Sequence, residues 1–175
     1  MVHENRPWLV VEQHAVEFRE NGVVTRTIED WAWVETPDYV CVLPIFDDGR
    51  CLCFEQCKYG VEGTTLSTVA GLIDPGENPL VAAKRELREE ASLEASNWVP
   101  LGGFRVDGNR GAGIAHLFLA RELHPTADKH ASDDIEPMTE VYLNRAGLLK
   151  ALSEGKFKIL APAALAALAL PHLPG

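Results

Sequence analysis

Three glutamates, Glu86, Glu89 and Glu90, stand at i, i+3 and i+4 in the run PLVAAKRELREEASL. On a helix turning about 100° per residue they fall within a sector of roughly 100°. Like charges this close repel, at a few tenths of a kcal/mol (~0.3) for each i,i+4 pair. A hard divalent cation reverses the sign of that interaction, because Mg²⁺ takes carboxylate, water and phosphate oxygens. Arg85 sits four residues before Glu89 and is spaced to orient it. Two readings stand on these residues alone: a solvated acidic helix face, or a cation site.

The elements that must position this cluster are legible on either side. Asn78 is a good N-cap, and Pro79 follows at the first helical position, where a missing N–H costs nothing. Leu80, Ala83, Leu87 and Ala91 recur at helical spacing and form an apolar stripe beside the carboxylates. Upstream, residues 60–68 (GVEGTTLST) read as a loop leading to Val69-Ala70-Gly71. That tripeptide reads as a turn with little side-chain bulk, whose exposed backbone lets the Ala70 carbonyl act as a further hard oxygen ligand.

The N-terminal 37 residues read as a small antiparallel unit. WLVVEQHAVEF and GVVTRTIEDWAWVE are rich in β-branched and aromatic residues, and Asn21-Gly22 between them is a hairpin signal. Trp31 and Trp33 alternate and so share a face; they are core residues of this sheet, a stacking surface for a purine, or a dimer contact. Pro37 and Asp38 mark a boundary. YVCVLPIF and CLCFEQCKY then form strands of a mixed sheet, with Gln56 and Lys58 at the end of the second. NWVPLGGFRV and AHLFLARELH flank a Gly-rich connection, 107–113, in which Arg110 is the residue able to meet phosphate. It is not a P-loop, since no Gly-Lys-Ser/Thr follows. A polar stretch, 124–137, carries Asp133, Asp134 and Glu136. VYLNRAGLLKALSEG reads as a last strand and helix. The apolar run 159–170 is too short to span a bilayer and reads as a packed helix.

A net charge of −10 argues against a nucleic-acid polymer as partner. It leaves room for a small phosphorylated ligand, because a bound cation reverses the local field. Cys41, Cys51, Cys53 and Cys57 all fall in strand-like text without the turn spacing of a zinc site. No signal peptide precedes them, so reduced thiols in the cytoplasm are expected. None of the six histidines forms a ligand-spaced pair, and none is assigned a role.

Gly71 to Leu93 resembles the signature of the Nudix hydrolases: Gly, five residues, Glu, seven residues, then Arg-Glu-apolar-any-Glu-Glu-any-Gly-apolar. Gly71, Glu77, Arg85, Glu86, Leu87, Glu89, Glu90 and Leu93 match it, and Ser92 stands where the family has Gly. Beyond this box the chain resembles the branch acting on ADP-ribose and related nucleotide sugars, through WVETPDYVCVLP, EQCK, VAGLIDPGE and SEGKF. It departs at Lys58, usually Arg, at Ser67, commonly Glu, and at the loop VDGNRGAG, which lacks the usual Pro.

The resemblance implies an α/β fold, an α/β/α sandwich with a mixed sheet over residues 38–175, behind an N-terminal β unit over 1–37 that commonly exchanges between subunits of a homodimer. It implies hydrolysis of a diphosphate linkage in a nucleotide sugar, ADP-ribose or another ADP-sugar, with Mg²⁺ as cofactor and Mn²⁺ able to substitute. Glu86 and Glu90 would be the principal metal ligands, joined by the Ala70 carbonyl. Glu89 would bridge metals or help activate water, held by Arg85, and Glu77 would be structural. Glu136 is the first candidate for general base and Asp134 the second. Trp31 and Trp33 would stack on adenine, with Lys58 and Arg110 on phosphate. Other readings are a different Nudix substrate (a GDP-sugar, a dinucleoside polyphosphate, NADH or a (d)NTP) and a non-catalytic nucleotide-sugar sensor. The retained glutamates and the lack of basic helix-turn-helix text speak against the sensor.

Overall fold

The computed structural model describes residues 2–126 and 138–174. The chain divides into two compact units. One holds the residues up to Asp38 together with Phe104–Ile114, and the other holds Tyr39–Gly103 and the chain from Ala115 onward. That Phe104–Ile114 folds with the N-terminal strands is not announced by its sequence.

In the first unit, β1 (His3–Asn5), β2 (Leu9–Glu20) and β3 (Val23–Glu35) form an antiparallel sheet in that order. Asn21 and Gly22 join β2 to β3 with φ of 49° and 82°. Two successive positive φ values define the primed turn whose twist matches a hairpin, which is why Asn-Gly stands there. His14 lies opposite Trp31 and Glu12 opposite Trp33, so these four share one face.

The second unit contains β4 (Tyr39–Pro44), β5 (Cys51–Cys57), β6 (Thr64–Ser67), β7 (Val69–Leu72), α1 (Pro79–Ala91), β8 (Leu93–Arg105) as far as Gly103, β9 (Ile114–Pro125) from Ala115, β10 (Met138–Leu143), α2 (Arg145–Ser153) and α3 (Leu160–Ala169). Its main sheet runs β7-β4-β9-β8 and is mixed, with β4 antiparallel to β7 and parallel to β9. A second sheet, β10-β5-β6, is antiparallel. Alternation along β4 assigns the layers. Val40 and Val42 pack with Val69, Phe118 and the α1 residues Ala82, Ala83 and Leu87. Cys41 and Leu43 pack on the other side with Leu117, Leu119, Leu148 of α2 and Leu165 and Ala166 of α3. Helices therefore cover both faces, as in the expected α/β/α sandwich. Leu87, fully buried, contributes on the order of 2 kcal/mol to that packing.

Residues 64–72 differ from the sequence expectation. The supposed loop contains β6, and Val69-Ala70-Gly71 is not a turn but lies within the edge strand β7, with Ala70 opposite Cys41 and Gly71 opposite Val40. Thr and Ser supply no apolar alternation, so strand pairing here is set by β5 and β4 and not by local pattern.

Cys41, Cys51 and Cys53 are buried, and burial pushes each thiol up to about 12. These are inert packing groups at neutral pH. Pro162 falls in the first turn of α3, where its missing N–H is not needed. Among the described residues, no helix is long and apolar enough to cross a membrane.

Both ends of α1 are capped. Asn78 accepts the Leu80 N–H at 2.9 Å. At the other end Ser92 closes the helix in the left-handed region (φ 52°, ψ 38°), its N–H donating to the Arg88 carbonyl. A side chain there costs roughly 1 kcal/mol that glycine avoids. Ser92→Gly should therefore raise stability by about 0.5–1 kcal/mol, or about 2–3 °C in Tm by calorimetry. A drop in Tm would show that the Ser92 side chain holds the turn by another contact.

Candidate active site

Helix α1 packs against β7 and β4 and brings its acidic face to the sheet edge. Glu86 is only 8% exposed. Its carboxylate occupies the space above Gly71: a Cβ on Gly71 would lie 1.9 Å from the Glu86 Cδ. One turn on, Glu90 Oε2 accepts the Ala70 N–H at 3.2 Å. In an antiparallel strand the N–H and C=O of a residue point to the same side. Because β7 is the sheet edge and the Ala70 N–H faces Glu90, the Ala70 carbonyl shares that open side. Glu86, Glu90 and the Ala70 carbonyl thus form a patch of hard oxygen donors around residues 70–71.

Arg85 holds this patch together. Its guanidinium donates to Glu77 (3.1 and 3.3 Å), to Glu86, to Glu89 (3.2 Å) and to the Leu72 carbonyl (2.9 Å). Hydrogen bonding to Glu77, and then to Glu86, raises the Arg85 pKa further above its ordinary value, against the opposing effect of burial. In return Arg85 holds the Glu77 carboxyl below the usual range, aided by the Asp74 N–H. The sequence spacing shows the Arg85–Glu89 pair but not the bonds to Glu77 and Leu72, which depend on how the 72–78 connection folds back on α1.

Among the described residues, no three His, Cys, Asp or Glu side chains converge on one point to enclose a metal. Arg85 is instead paired with Glu77, Glu86 and Glu89. The donor chemistry nonetheless fits a hard cation: all the groups are oxygens, and two carboxylates plus a carbonyl leave positions for water and phosphate.

The substrate-side candidates lie elsewhere in the fold. In the N-terminal unit, Trp31, Trp33 and Arg110 line a cleft of about 700 Å³ together with His14, Arg105 and Gly111. Trp31 Nε1 donates to the Asn109 carbonyl at 2.9 Å, and Trp33 Nε1 to Glu35 at 3.1 Å. Trp33 stacks on His14, with centroids 5.0 Å apart and planes at 20°. Gly111 is pressed against the same indole; a Cβ there would come within 2.5 Å of it. Arg110 is paired with Asp107 at 2.6 Å. Lys58 follows β5 in the core unit and is half-buried. Asp134 and Glu136 lie outside the described residues.

Comparison with known proteins places the chain in a family. Residues 35–161 match the NUDIX domain family. The chain is 32% identical over 103 residues to a Bacillus subtilis (strain 168) protein named ADP-ribose pyrophosphatase, covering 59% of this chain and 56% of that protein. It is 30% identical over 147 residues to the Escherichia coli (strain K12) ADP compounds hydrolase NudE, covering 84% of this chain and 76% of that one. The crystal structure of an ADP compounds hydrolase superposes with a TM-score of 0.78 at 24% identity, over 98% of this chain and 89% of the other. The last likeness speaks to fold alone. Together with the box helix, its glutamates and the Gly71 slot, the match over most of its length shows that this chain belongs to the Nudix family.

Proposed function

We propose that the chain is a divalent-metal-dependent hydrolase of the diphosphate linkage in nucleoside diphosphate compounds, with ADP-ribose or another ADP-sugar as substrate and AMP and sugar phosphate as products. The observation that carries this reading is the gathering of Glu86, Glu90 and the Ala70 carbonyl at one sheet edge under the control of Arg85. The names of the Bacillus subtilis and Escherichia coli relatives support the substrate class.

Glu86, Glu90 and the Ala70 carbonyl would hold Mg²⁺, or Mn²⁺ in its place. The bound cation supplies charge neutralisation for the diphosphate and lowers the pKa of water. The protein's own work is positioning, which dominates phosphoryl-type transfer. Arg85 keeps Glu86 and Glu89 in place, and Glu89 helps orient the attacking water. A water oxygen bonds to one phosphorus, the bridging P–O bond breaks, and the electron pair leaves with the other phosphate. The water proton passes to a base, Glu136 first or Asp134 second. Trp31 and Trp33 would face the base, and Lys58 and Arg110 the phosphates. Phe18, Val23 and Val24 are exposed on the β2–β3 ribbon, which supports a homodimer in which residues 1–37 pack on a second copy of 38–175. The four free thiols suit a cytoplasmic location.

A hydrolysis panel with Mg²⁺ and Mn²⁺ over ADP-ribose, ADP-glucose, GDP-mannose, NADH, diadenosine polyphosphates and dNTPs tests this. ADP-ribose or ADP-glucose should be cut fastest, releasing AMP. Turnover of another class with both ADP-sugars intact would overturn the substrate assignment. Thermal stabilisation by a nucleotide sugar without any hydrolysis would make the protein a sensor.

A further inference from the structure

The cleft of the N-terminal unit carries a cation that the proposed reaction has not used. Both of its walls, the β2–β3 ribbon and the 105–111 segment, belong to that unit. Its two tryptophans are not equivalent. His14 stacks on Trp33 and Gly111 is pressed against the same indole, so protein atoms already pack that ring. Among the described residues no ring stacks on Trp31, whose N–H is held by the Asn109 carbonyl. Trp31 is therefore the indole that offers a face to a ligand.

The two arginines of the lining differ in the same way. Arg110 is paired with Asp107 at 2.6 Å, and Asp107 also accepts the Asn109 N–H at 3.0 Å, which fixes that carboxylate on its own turn. An anion in the cleft meets Arg110 with its charge already offset. Arg105 donates Nη1 to the Ala112 carbonyl at 3.0 Å and has no acidic partner among the described residues. A neutral carbonyl holds the guanidinium without cancelling its charge, and leaves the other N–H groups of the fork as donors. Glu35, the carboxylate in the lining, accepts the Trp33 N–H at 3.1 Å through one oxygen; its second oxygen has no partner among the described residues.

An aromatic ring, an unpaired cation and a carboxylate acceptor around about 700 Å³ match one class of ligand, a planar base joined through a hydroxylated sugar to a phosphate. The base stacks, hydroxyl or amino groups donate to Glu35, and phosphate oxygens accept from Arg105. The Glu35 charge opposes a bare anion, so inorganic phosphate alone should bind poorly.

We propose that Arg105 is the phosphate-binding residue of this cleft, fixing a phosphate of a nucleotide whose base lies on Trp31. The identity of that nucleotide as an adenylate rests on the hydrolase reading above. Arg110 contributes only when its pair with Asp107 opens.

The test is calorimetric binding of AMP, adenosine and inorganic phosphate to the full chain, with EDTA present so that the box carboxylates hold no cation. The wild type should bind AMP about tenfold more tightly than adenosine. Arg105→Gln keeps an N–H donor but loses the charge, and should bind the two ligands about equally, with adenosine affinity within twofold of wild type. Arg105→Lys should recover part of the preference. Arg110→Gln should lose at most about threefold, since an exposed pair with Asp107 already offsets that charge. An AMP-to-adenosine ratio in Arg105→Gln within twofold of wild type, a larger loss in Arg110→Gln than in Arg105→Gln, or a wild type without preference for AMP overturns this assignment. If ADP-ribose is still cut with Mg²⁺, the hydrolase reading survives that failure. A wild type that neither binds AMP nor cuts any nucleotide sugar overturns both.

Discussion

Glu90→Gln should fold like the wild type and lose about 10³-fold in kcat/KM, close to 4 kcal/mol of transition-state stabilisation. Folding survives because the Gln side-chain carbonyl can still accept the Ala70 N–H that Glu90 accepts at 3.2 Å. Without metal the variant should be as stable as the wild type or slightly more so. Removing one charge from Glu86, Glu89 and Glu90 relieves repulsion that Arg85 offsets for Glu86 and Glu89. What the amide cannot do is place a full negative charge against a cation. Mg²⁺ should therefore raise the Tm of the wild type but not of the variant, since a ligand stabilises only the state that binds it. Chelation with EDTA should bring wild-type turnover down to the level of the variant, with recovery on adding Mg²⁺. Wild-type-like activity of Glu90→Gln would remove the central reason for reading the cluster as a metal site.

The parts of the fold legible in the sequence are those fixed by local chemistry. Asn21-Gly22 forms the turn its φ values require, and Asn78-Pro79 starts α1 where capping rules place it. The glutamate spacing carries over directly, because a helix preserves angular relations over one or two turns. Illegible parts depend on partners distant in sequence. Val69-Ala70-Gly71 has no strand pattern of its own and is held by β4. Arg85 reaches Glu77 and the Leu72 carbonyl only after the connection folds back. Phe104–Ile114 joins the N-terminal unit through side-chain-to-backbone bonds, from the Trp31 indole N–H to the Asn109 carbonyl and from the Gly113 N–H to the Thr36 hydroxyl.

Gly71→Ala adds one methyl group and should cost about 10²-fold in kcat/KM and roughly 1–3 kcal/mol of stability. Unlike Gly76, whose φ of 83° demands glycine, Gly71 is glycine for space. In a strand with ordinary dihedrals, Gly→Ala would normally stabilise by about 0.5 kcal/mol through the unfolded chain. Here the new Cβ would lie 1.9 Å from the Glu86 Cδ and 1.9 and 2.3 Å from its oxygens, far inside contact distance. Either the Glu86 carboxylate swings away or β7 moves off α1. Both outcomes separate Glu86 from the Ala70 edge, and a shift of about 1 Å is enough for a 10²-fold loss. The double variant Gly71→Ala/Glu86→Ala distinguishes this from simple damage to the strand. Without the carboxylate the methyl has room, so Tm should return close to that of Glu86→Ala alone, while activity stays lost. Additive destabilisation in the double variant would mean that the two positions do not meet, and that Gly71 is not the slot that seats the Glu86 carboxylate.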